Sequence, residues 1–450
     1  MTDYSSYTEV AGEDGSVLGR YLERLDQAAP VLVRGRVKEV TGLVVRASVP
    51  EAVVGELVQM RLRDGTVRPA EVVGFEGDDV VLMPLGDVEG IGPNSEVEST
   101  GMPLSIRCGD GLLGRVLDGL GRPIDGGPSL QSREFCDWPL MRPAPDPFQR
   151  KRIEEPMSMG IRAIDGLLTV GRGQRVGLFA GSGVGKSTLM GQIARGSDAE
   201  VIVIALIGER GREVNDFIDE VLGEEGMKRS VVVVATSDTP SLVRLKSAFV
   251  ATAIAEYFRA EQRNVLLMMD SVTRFARAQR EVGLAAGEPP ARQGYPPSVF
   301  SMLPKLLERT GNDHVGSITA LYTVLVAGGD MEEPIADEVR GILDGHIILS
   351  RDLASRNHWP AIDVLPSLSR VMGAVASREH VAAAGRFREV LATYEAQRDL
   401  ISLGAYQYGT DEKVDLAIDY IEEMEEVLKQ GLEEHTELDE TVELLLDLFG

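Results

Sequence analysis

Near its start the chain alternates short apolar runs with turn-forming residues. The runs VLVRGRV, GLVVRASV, ELVQMRL, AEVVGF and DVVLMPL follow one another between Val31 and about Glu98, separated by Gly, Asp and Pro. Closely spaced strands joined by short turns are typical of a small antiparallel barrel. We therefore predict a β-barrel domain over residues 31–98.

From about Arg150 the apolar runs become nearly continuous and alternate with amphipathic stretches. The strand candidates are RVGLFA, VIVIALI, VVVVAT, VLLMMD, SITALYTVLV and HIILS, and the apolar spacing within REVNDFIDEVL predicts a helix. Such runs indicate a parallel sheet covered by helices on both faces. After Met372 only helical patterns follow. The sequence therefore predicts an α/β domain over residues 99–375 and a C-terminal helical domain over 376–450.

Three shorter segments complete the organisation. Residues 16–28 predict a short amphipathic helix within an N-terminal helical segment over 1–30, with an apolar face formed by Val17, Leu18, Tyr21, Leu22 and Leu25. Packing of this face on its own domain is favoured over a partner or membrane contact, since no Trp or Lys/Arg cluster accompanies it. Residues 118–127 (DGLGRPIDGG) and the later RPAPDPFQR read as an ordered loop and a connector.

Charge narrows the possible partners. The net charge is −25, and residues 411–450 carry fifteen Asp and Glu against only Lys413 and Lys429. General nucleic-acid binding requires clustered Lys and Arg, so this balance opposes it. The acidic C-terminal segment is either a solvated helix face, which is the simpler interpretation, or a surface that attracts a basic partner.

Composition also bears on location and metal chemistry. No apolar run reaches the roughly 18 residues of a membrane span, and the polar N-terminus lacks the features of a signal peptide, so we expect a cytoplasmic protein. Cys108 and Cys136 lack the spacing of a zinc site or a disulfide framework. We expect both to be reduced thiols.

A glycine-rich loop carries the strongest chemical signal. The strand RVGLFA leads into GSGVGKST, which opens a helix at Lys186. Glycines let backbone N–H groups surround phosphates, the lysine neutralises charge, and a hydroxyl at Ser187 can ligate Mg²⁺. Ala180 replaces the first glycine of the strict pattern GxxxxGK[ST], where the strand ends and a methyl group is tolerable. The predicted phosphate-binding residues are Gly181, Ser182, Gly183, Val184, Gly185, Lys186, Ser187 and Thr188.

Two carboxylates end other buried strands. Asp270 closes NVLLMMD, where an ionised group needs a partner such as a hydrated Mg²⁺. Glu209 follows VIVIALI, a place suited to orienting or deprotonating an attacking water. The alternative for Glu209 is a surface ion pair with Arg210 or Arg212, and the residues alone do not separate the two.

Longer motifs resemble a known family. The segments IGERGREV, MDSVTRFARAQREVGLAAGEPPARQGYPPSVF, GSITALYTVLVAGGDMEEP, LDGHIILSR and HWPAID resemble the ATPase of flagellar and other type III secretion systems, which is similar to catalytic subunits of rotary ATP synthases. The similarity covers nearly the whole chain. It implies an RecA-like P-loop core between an N-terminal β-barrel and a C-terminal helical domain, with ATP and Mg²⁺ as ligands.

The resemblance also implies residue roles. Lys186 and Ser187 match the positions that bind phosphate and Mg²⁺. Glu209 matches the catalytic carboxylate, and Asp270 matches the Mg²⁺-associated aspartate. Arg210 and Arg274 match residues that support the phosphate site, and Arg370 matches an arginine that a neighbouring subunit inserts. A loop ion pair is the alternative for Arg370. Trp359 stands where the family usually has a Tyr that stacks on adenine, and Tyr406 is implied to flank the base, with a packing role as its alternative. Gly329 stands where the family often has Asp.

The implied activity is ATP hydrolysis by a homohexameric ring that energises protein export. The implied partners are an export regulator, a stalk protein, the export gate and chaperone–substrate complexes, with peripheral recruitment to the inner face of the membrane. Two alternatives are a rotary ATP synthase subunit, which would share the catalytic residues, and a Rho-type nucleic-acid translocase. The acidic charge and the lack of an aromatic basic face on the barrel disfavour the translocase.

Overall fold

The N-terminal domain is a closed antiparallel barrel. The computed structural model describes residues 34–450, so the predicted helix within residues 1–30 lies outside the described residues. The barrel strands, which close in the order β1-β2-β5-β4-β3-β6, are β1 (Arg34–Thr41), β2 (Val44–Ser48), β3 (Glu56–Arg61), β4 (Val67–Glu76), β5 (Asp79–Pro84) and β6 (Glu96–Pro103). Alternate side chains of β3 are buried, because a period of two points every second residue inward.

The barrel differs from the prediction at its end. Strand β6 continues to Pro103, past the predicted boundary at residue 98, because its ladder with β3 extends to the pair Glu56 and Pro103. Gly101 and Pro103 resemble terminators in the sequence, yet Glu56 binds this segment by accepting the backbone N–H of Gly101 at 3.0 Å. The ladder between β6 and β1 covers only Glu96 to Glu98, and the ladder with β3 contains a bulge, so this end of the strand tolerates both residue types.

A second, mostly parallel sheet forms the centre of the molecule. It runs in the order β19-β18-β12-β17-β15-β13-β14-β8, with β16 beside β17. Its strands are β8 (Val116–Asp118), β12 (Arg175–Ala180), β13 (Val201–Ile207), β14 (Ser230–Ala235), β15 (Asn264–Asp270), β16 (Gly311–Asn312), β17 (Ser317–Leu325), β18 (Gly345–Leu349) and β19 (Ile362–Ser369). Two small pairs accompany it, β7 (Ser105–Cys108) with β9 (Cys136–Pro139) and β10 (Pro156–Met157) with β11 (Val170–Gly171).

The apolar runs of the sequence became the buried strands of this sheet. Every residue of β13 is buried, and β12, β15 and β17 each have only one partly exposed residue. Strand β19 was not predicted, because Pro366 and alternating polar residues interrupt its apolar pattern. It pairs antiparallel with β18 at the edge of the sheet, where proline is tolerated.

Helices cover both faces of the sheet. In the α/β domain they are α1 (Arg162–Leu167), α2 (Lys186–Gly196), α3 (Gly211–Asp216), α4 (Gly223–Lys228), α5 (Ser241–Ala260), α6 (Val272–Ala285), α7 (Pro297–Leu307), α8 (Pro334–Ile342), α9 (Arg351–Ser355) and α10 (Met372–Val375). A π-helical segment, Phe217–Leu222, joins α3 to α4. Helix α5 is buried along most of its length, and its Phe249 packs edge to face on Phe275 at 5.8 Å between ring centroids.

Three helices form the C-terminal domain, α11 (Arg378–Ser402), α12 (Glu412–Leu428) and α13 (Leu438–Phe449). Phe449 packs against Phe387 and Tyr420 at centroid distances of 5.8 and 5.3 Å, which joins the three helices. Helix α13 also packs on α1, where a Cβ on Gly166 would lie 2.7 Å from Leu445 Cδ1. The barrel, α/β and helical architecture predicted from the sequence is therefore confirmed.

One ion pair lies deep inside the α/β domain. The guanidinium of Arg309 binds both carboxylate oxygens of Glu256, at 2.8 and 2.7 Å, and each side chain is only 2% exposed. Arg309 also donates to the carbonyl of Leu140 at 2.9 Å. The pair thereby joins α5, the end of α7 and the segment after β9.

Replacing Glu256 by Ala should destabilise the chain strongly. A buried guanidinium without its counter-charge costs about 3–5 kcal/mol, so the midpoint of chemical unfolding should fall accordingly. The control is Glu225→Ala, which removes the exposed pair with Lys228 and should leave the midpoint unchanged. Equal midpoints for both variants would contradict a structural role for the buried pair.

Candidate active site

The glycine-rich loop lies at the carboxyl edge of the central sheet. Strand β12 ends at Ala180, the loop follows, and α2 begins at Lys186 with Gly185 as its N-cap. Gly183 and Gly185 have φ of 78° and 80°, a left-handed conformation that favours glycine. The positive end of the α2 dipole and the loop N–H groups thus face one point, as an anion site requires.

The loop's departure from the strict motif is accommodated. Ala180 is fully buried, and its carbonyl accepts the N–H of Val326, the residue after β17, at 3.1 Å. Its methyl group therefore occupies core space rather than the phosphate cradle. Gly329, where the family often has Asp, adopts a φ of 80° in the turn after β17, a conformation that favours glycine.

Three charged groups converge beside the loop. The ammonium of Lys186 donates to Asp270 Oδ1 and lies 3.9 Å from Glu209 Oε1. Thr323 adds a hydroxyl hydrogen bond to Asp270 Oδ1 at 2.8 Å. Asp270 is 3% exposed and Glu209 is 9% exposed, so both carboxylates depend on these partners for compensation. The structure thus brings Lys186, Glu209 and Asp270 together at this edge of the sheet.

Arg274 fixes the orientation of Glu209. Its Nη2 donates to Glu209 Oε2 at 3.0 Å, and its Nη1 donates to the carbonyl of Gly208. Burial raises the pKa of Glu209 to about 7, and the nearby carboxylate of Asp270 adds to the increase, while Lys186 and Arg274 oppose it. A carboxyl group with a pKa near neutrality is suited to accept a proton.

Ser187 and Arg210 are both exposed. Ser187 opens α2 on the solvent side of the loop. The side chain of Arg210 is 76% exposed, and its guanidinium binds Glu213 Oε1 at 3.0 Å rather than the phosphate cradle. The alternative for Glu209, a surface ion pair with Arg210 or Arg212, is not what the structure has: Glu209 faces Lys186 and Arg274, and Arg212 pairs with Asp216.

Sequence reasoning missed one basic group at the loop. Nη2 of Arg351 lies 3.5 Å from the position that a Cβ on Gly181 would occupy. Arg351 begins α9 directly after β18, which ends at the same carboxyl edge as β12. The signal was present in LDGHIILSR, because an arginine that follows a neighbouring parallel strand must lie at that edge.

A cavity of about 390 Å³ adjoins the loop on the side of Trp359. A Cβ on Gly185 would lie 2.8 Å from Trp359 Cζ3, so the indole packs directly on the last glycine of the loop. The indole N–H donates to Asn357 Oδ1 at 3.0 Å, which fixes the ring plane. The remaining wall is mostly apolar and comprises Val184, Thr188, Leu189, Gln192, Leu349, Pro360, Ala361, Gln430, Gly431 and Leu432.

The far wall of this cavity comes from the C-terminal domain. Residues 430–432 follow α12, and their carbonyls are held by the P-loop helix: Gln192 donates to Gly431 at 2.9 Å and Arg195 to Leu432 at 3.0 Å. The N–H of Gln430 donates to the carbonyl of Trp359 at 2.9 Å. Sequence reasoning missed this wall, because KQGLEE has no recognisable motif.

Tyr406 lies elsewhere. It belongs to the connection between α11 and α12, and its hydroxyl binds the carboxylate of Asp415 at 2.8 Å and the carbonyl of Asp411 at 3.1 Å. It is not among the residues lining the cavity. The structure therefore brings Trp359 to the loop and places Leu432, rather than Tyr406, in the opposite wall.

Arg370 lies at the opposite edge of the sheet. Ser369 pairs with Gly345 at the start of β18, and the N–H of Arg370 donates to the carbonyl of Asp344 at 3.0 Å. This level corresponds to the start of β12, five residues before Ala180, or roughly 16 Å along a strand. Arg370 is exposed, and within residues 34–450 no acidic side chain forms an ion pair with it. Its guanidinium cannot reach the glycine-rich loop of its own chain.

The residues at the loop fit Mg²⁺ bound together with a phosphate ligand. Mg²⁺ usually takes one or two protein oxygens and completes its shell with water and phosphate. Such oxygens are present in Ser187, which follows Lys186, and in Asp270, which accepts from Lys186. Among the described residues, no three His, Cys, Asp or Glu side chains converge to hold a metal ion by themselves. Over the same part of the chain, no helix has the length and apolarity for a bilayer crossing.

Comparison with known proteins agrees with this geometry. The ATP synthase alpha/beta family matches with its beta-barrel domain over residues 37–101 and its nucleotide-binding domain over 160–369, and the T3SS EscN ATPase C-terminal domain matches over 376–447. The Flagellum-specific ATP synthase of Bacillus subtilis is 53% identical over 418 residues, covering 92% of this chain and 95% of that protein. The chain belongs to the family of flagellar and type III secretion ATPases.

Further members extend the comparison. The Type 3 secretion system ATPase of Xanthomonas euvesicatoria is 53% identical and covers 91% of this chain and 93% of its own length. The structure of the assembled ATPase EscN from enteropathogenic E. coli has a TM-score of 0.87 and 47% identity, covering 92% of this chain and all of EscN. As a member of this family, the chain is an ATPase, and the resemblance noted from its motifs is confirmed.

The contact between Gly185 and Trp359 gives a test of the cavity wall. We expect Gly185→Ala to lower the melting temperature and displace the indole, because the added methyl group meets the ring. Gly183→Ala is the matched control: its φ is nearly the same, but no atom lies within 4 Å of the added methyl. Tryptophan fluorescence of both variants should therefore separate crowding from backbone strain.

The expected result is a shifted emission maximum in Gly185→Ala and an unshifted one in Gly183→Ala. Identical spectra for the two variants would contradict close packing of Trp359 on the loop.

Proposed function

We propose that the chain hydrolyses ATP at sites shared between neighbouring copies in a homohexameric ring. The observation that carries this proposal is the separation of the catalytic groups. Lys186, Glu209 and Asp270 converge at one edge of the sheet, while the exposed Arg370 lies at the other. A guanidinium that cannot reach its own phosphate site is available to that of a neighbour, and a ring of head-to-tail contacts supplies one to every site.

Binding of the triphosphate exchanges one set of charge contacts for another. The N–H groups of residues 181–187 would bind the β- and γ-phosphates, and the ammonium of Lys186 would turn from Asp270 to the phosphate oxygens. Ser187 and Asp270 would hold Mg²⁺, which neutralises phosphate charge when bound. Because the glycine-rich loop and α2 already have the backbone conformation of an anion site, little backbone reorganisation would accompany binding.

Hydrolysis then depends on Glu209 and a trans arginine. Glu209, held by Arg274, would orient the attacking water and accept its proton, and the raised pKa matches that task. Arg370 of the adjacent copy would stabilise charge on the transferring phosphoryl group. The exposed Arg210 pairs with Glu213 within its own chain, so we assign it a supporting position beside the site rather than direct contact.

The base would bind in the cavity beside Trp359. The indole offers a larger π-face than the usual tyrosine, and Leu432 of the C-terminal domain faces it across the cavity. Tyr406 is not included in this base site, since its hydroxyl is used within the α11–α12 connection.

We infer that hydrolysis energises flagellar or type III protein export from the cytoplasmic side. EscN has been solved in complex with its central stalk EscO, at 47% identity to this chain, which supports a stalk partner here. An export regulator, the export gate, chaperone–substrate complexes and peripheral recruitment to the inner membrane face follow from the same resemblance. The acidic C-terminal helices supply a surface for a basic stalk segment.

Glu209→Gln should bind ATP but not turn it over. The amide keeps the size and the contact with Arg274 yet cannot accept a proton, so we expect turnover to fall by about 10²–10⁴-fold with nucleotide affinity retained. Lys186→Ala should lose both affinity and turnover. Steady-state rates near wild type in Glu209→Gln would remove Glu209 from the proposed role.

The pH profile provides a separate test of the same carboxyl group. Glu209 must be ionised to accept a proton, and its pKa is raised to about 7, so kcat/KM should rise with pH up to about 7 and level off above it. The residual activity of Glu209→Gln should lack this inflection. A wild-type profile that is flat between pH 6 and 8 would contradict the assignment.

Mixing two inactive variants tests the trans arginine. Arg370→Ala alone should lower turnover by about 10³–10⁵-fold. In a mixture with Lys186→Ala, some sites combine an intact loop from one copy with an intact arginine from the other, so activity should return. Lack of rescue in mixed rings, verified by native mass spectrometry of tagged subunits, would refute a shared site.

A further inference from the structure

Phe148 is the most exposed aromatic side chain of the described residues, at 99% of its full surface. It lies in the connector RPAPDPFQR between β9 and β10. Isolated exposed apolar residues are common, but they are seldom fully exposed phenylalanines, whose burial yields 150–250 Å² of contact area. The surroundings of Phe148 therefore decide whether this exposure has a purpose.

The connector presents Phe148 on a fixed turn. Asp146 Oδ1 accepts the N–H of Phe148 at 2.8 Å, and the carbonyl of Asp146 accepts the N–H of Gln149 at 3.0 Å. Arg150 then binds the turn to the domain through the carbonyls of Pro145 at 3.3 Å and Thr310 at 2.9 Å. An ordered turn of this kind holds the ring away from its own domain and reduces the entropy lost on binding.

A chain of ion pairs links this turn to the segment that carries Arg370. Glu308 accepts from Arg150 at 3.4 Å and from Arg175 at 2.6 Å. Arg175 also binds Asp344 Oδ2 at 3.0 Å, and the carbonyl of Asp344 accepts the N–H of Arg370. Phe148 and Arg370 thus lie on two segments that these contacts link at the amino edge of the central sheet.

We propose that Phe148 is an interface anchor that packs against a second copy of this chain beside Arg370. The inference rests on the shared active site proposed above, because the edge that delivers Arg370 must then be covered by the neighbouring copy. In that contact the phenyl ring would supply apolar area and Arg370 the charge, so docking of Phe148 would also set the position of the guanidinium. Central aromatic anchors of this type dominate the affinity of protein interfaces.

The experiment compares Phe148→Asp with two controls in the full chain. Phe148→Leu keeps most of the apolar area, and Leu403→Asp places the same charge at another exposed apolar position, 80% exposed, at the end of α11. Assembly is followed by mass photometry with a non-hydrolysable ATP analogue, and ATPase rate is measured against protein concentration.

For Phe148→Asp we expect the concentration that gives half-maximal assembly and activity to rise about tenfold or more, as for loss of an interface hot spot. Phe148→Leu should shift it by about threefold or less, and Leu403→Asp should leave it unchanged. The melting temperature of dilute, unassembled Phe148→Asp should equal that of the wild type, because the ring has no neighbours within the described part of its own chain to lose.

An unchanged concentration dependence in Phe148→Asp, or an equal shift in Leu403→Asp, would overturn the proposal that Phe148 is an anchor. A lowered melting temperature of unassembled Phe148→Asp would also overturn it, because it would show that the ring is covered within its own chain. Failure of the shared site is detected separately. It would appear as no rescue between Arg370→Ala and Lys186→Ala, while the assembly measurement on Phe148→Asp, which needs no activity, would still decide the anchor.

Discussion

The charge balance around Lys186 is the constraint on which the site depends. An ammonium group, two nearly buried carboxylates and the N-terminus of a helix meet at the carboxyl edge of one sheet. Without a ligand, the cation is compensated by Asp270 and Glu209. In the proposed mechanism a triphosphate competes for the same cation, so its arrival would change the surroundings of both carboxylates. The proposal thereby couples nucleotide binding to the environment of Glu209 through one side chain.

The same loop links the site to the C-terminal domain. Helix α2 begins at Lys186, and about two turns later its Gln192 and Arg195 hold the carbonyls of Gly431 and Leu432. The backbone N–H of Arg162 in α1 reinforces this contact by donating to Gln430 Oε1 at 2.9 Å. The wall that faces Trp359 exists only while the C-terminal helices are docked on the α/β domain. A movement of those helices would therefore change the cavity beside Trp359 directly.

Much of this arrangement could be predicted from the sequence, because parallel strands bring their carboxyl ends to one edge. That rule alone places Asp270, Glu209 and the P-loop at one edge of the sheet, and the apolar runs identify the strands. Residues 430–432 could not be found in this way, since they are some 240 positions from the loop and carry no motif. Tyr406 shows a different limit: an aromatic residue in the right region suggests stacking, but the neighbouring Asp411 and Asp415 bind its hydroxyl locally. Strand β19 was missed because Pro366 interrupts its apolar pattern, and a proline in such a segment usually indicates a loop.

The hydrogen bonds of the cavity wall limit which polar groups a ligand of the cavity can use. The side-chain amide of Gln430 is used at both ends, because its nitrogen donates to the carbonyls of Gly160 and Glu434 and its oxygen accepts from Arg162. The amide nitrogen of Gln192 donates to the carbonyl of Gly431. Under the proposed binding of a base beside Trp359, these groups would contribute shape and apolar area rather than hydrogen bonds, and stacking tolerates different bases.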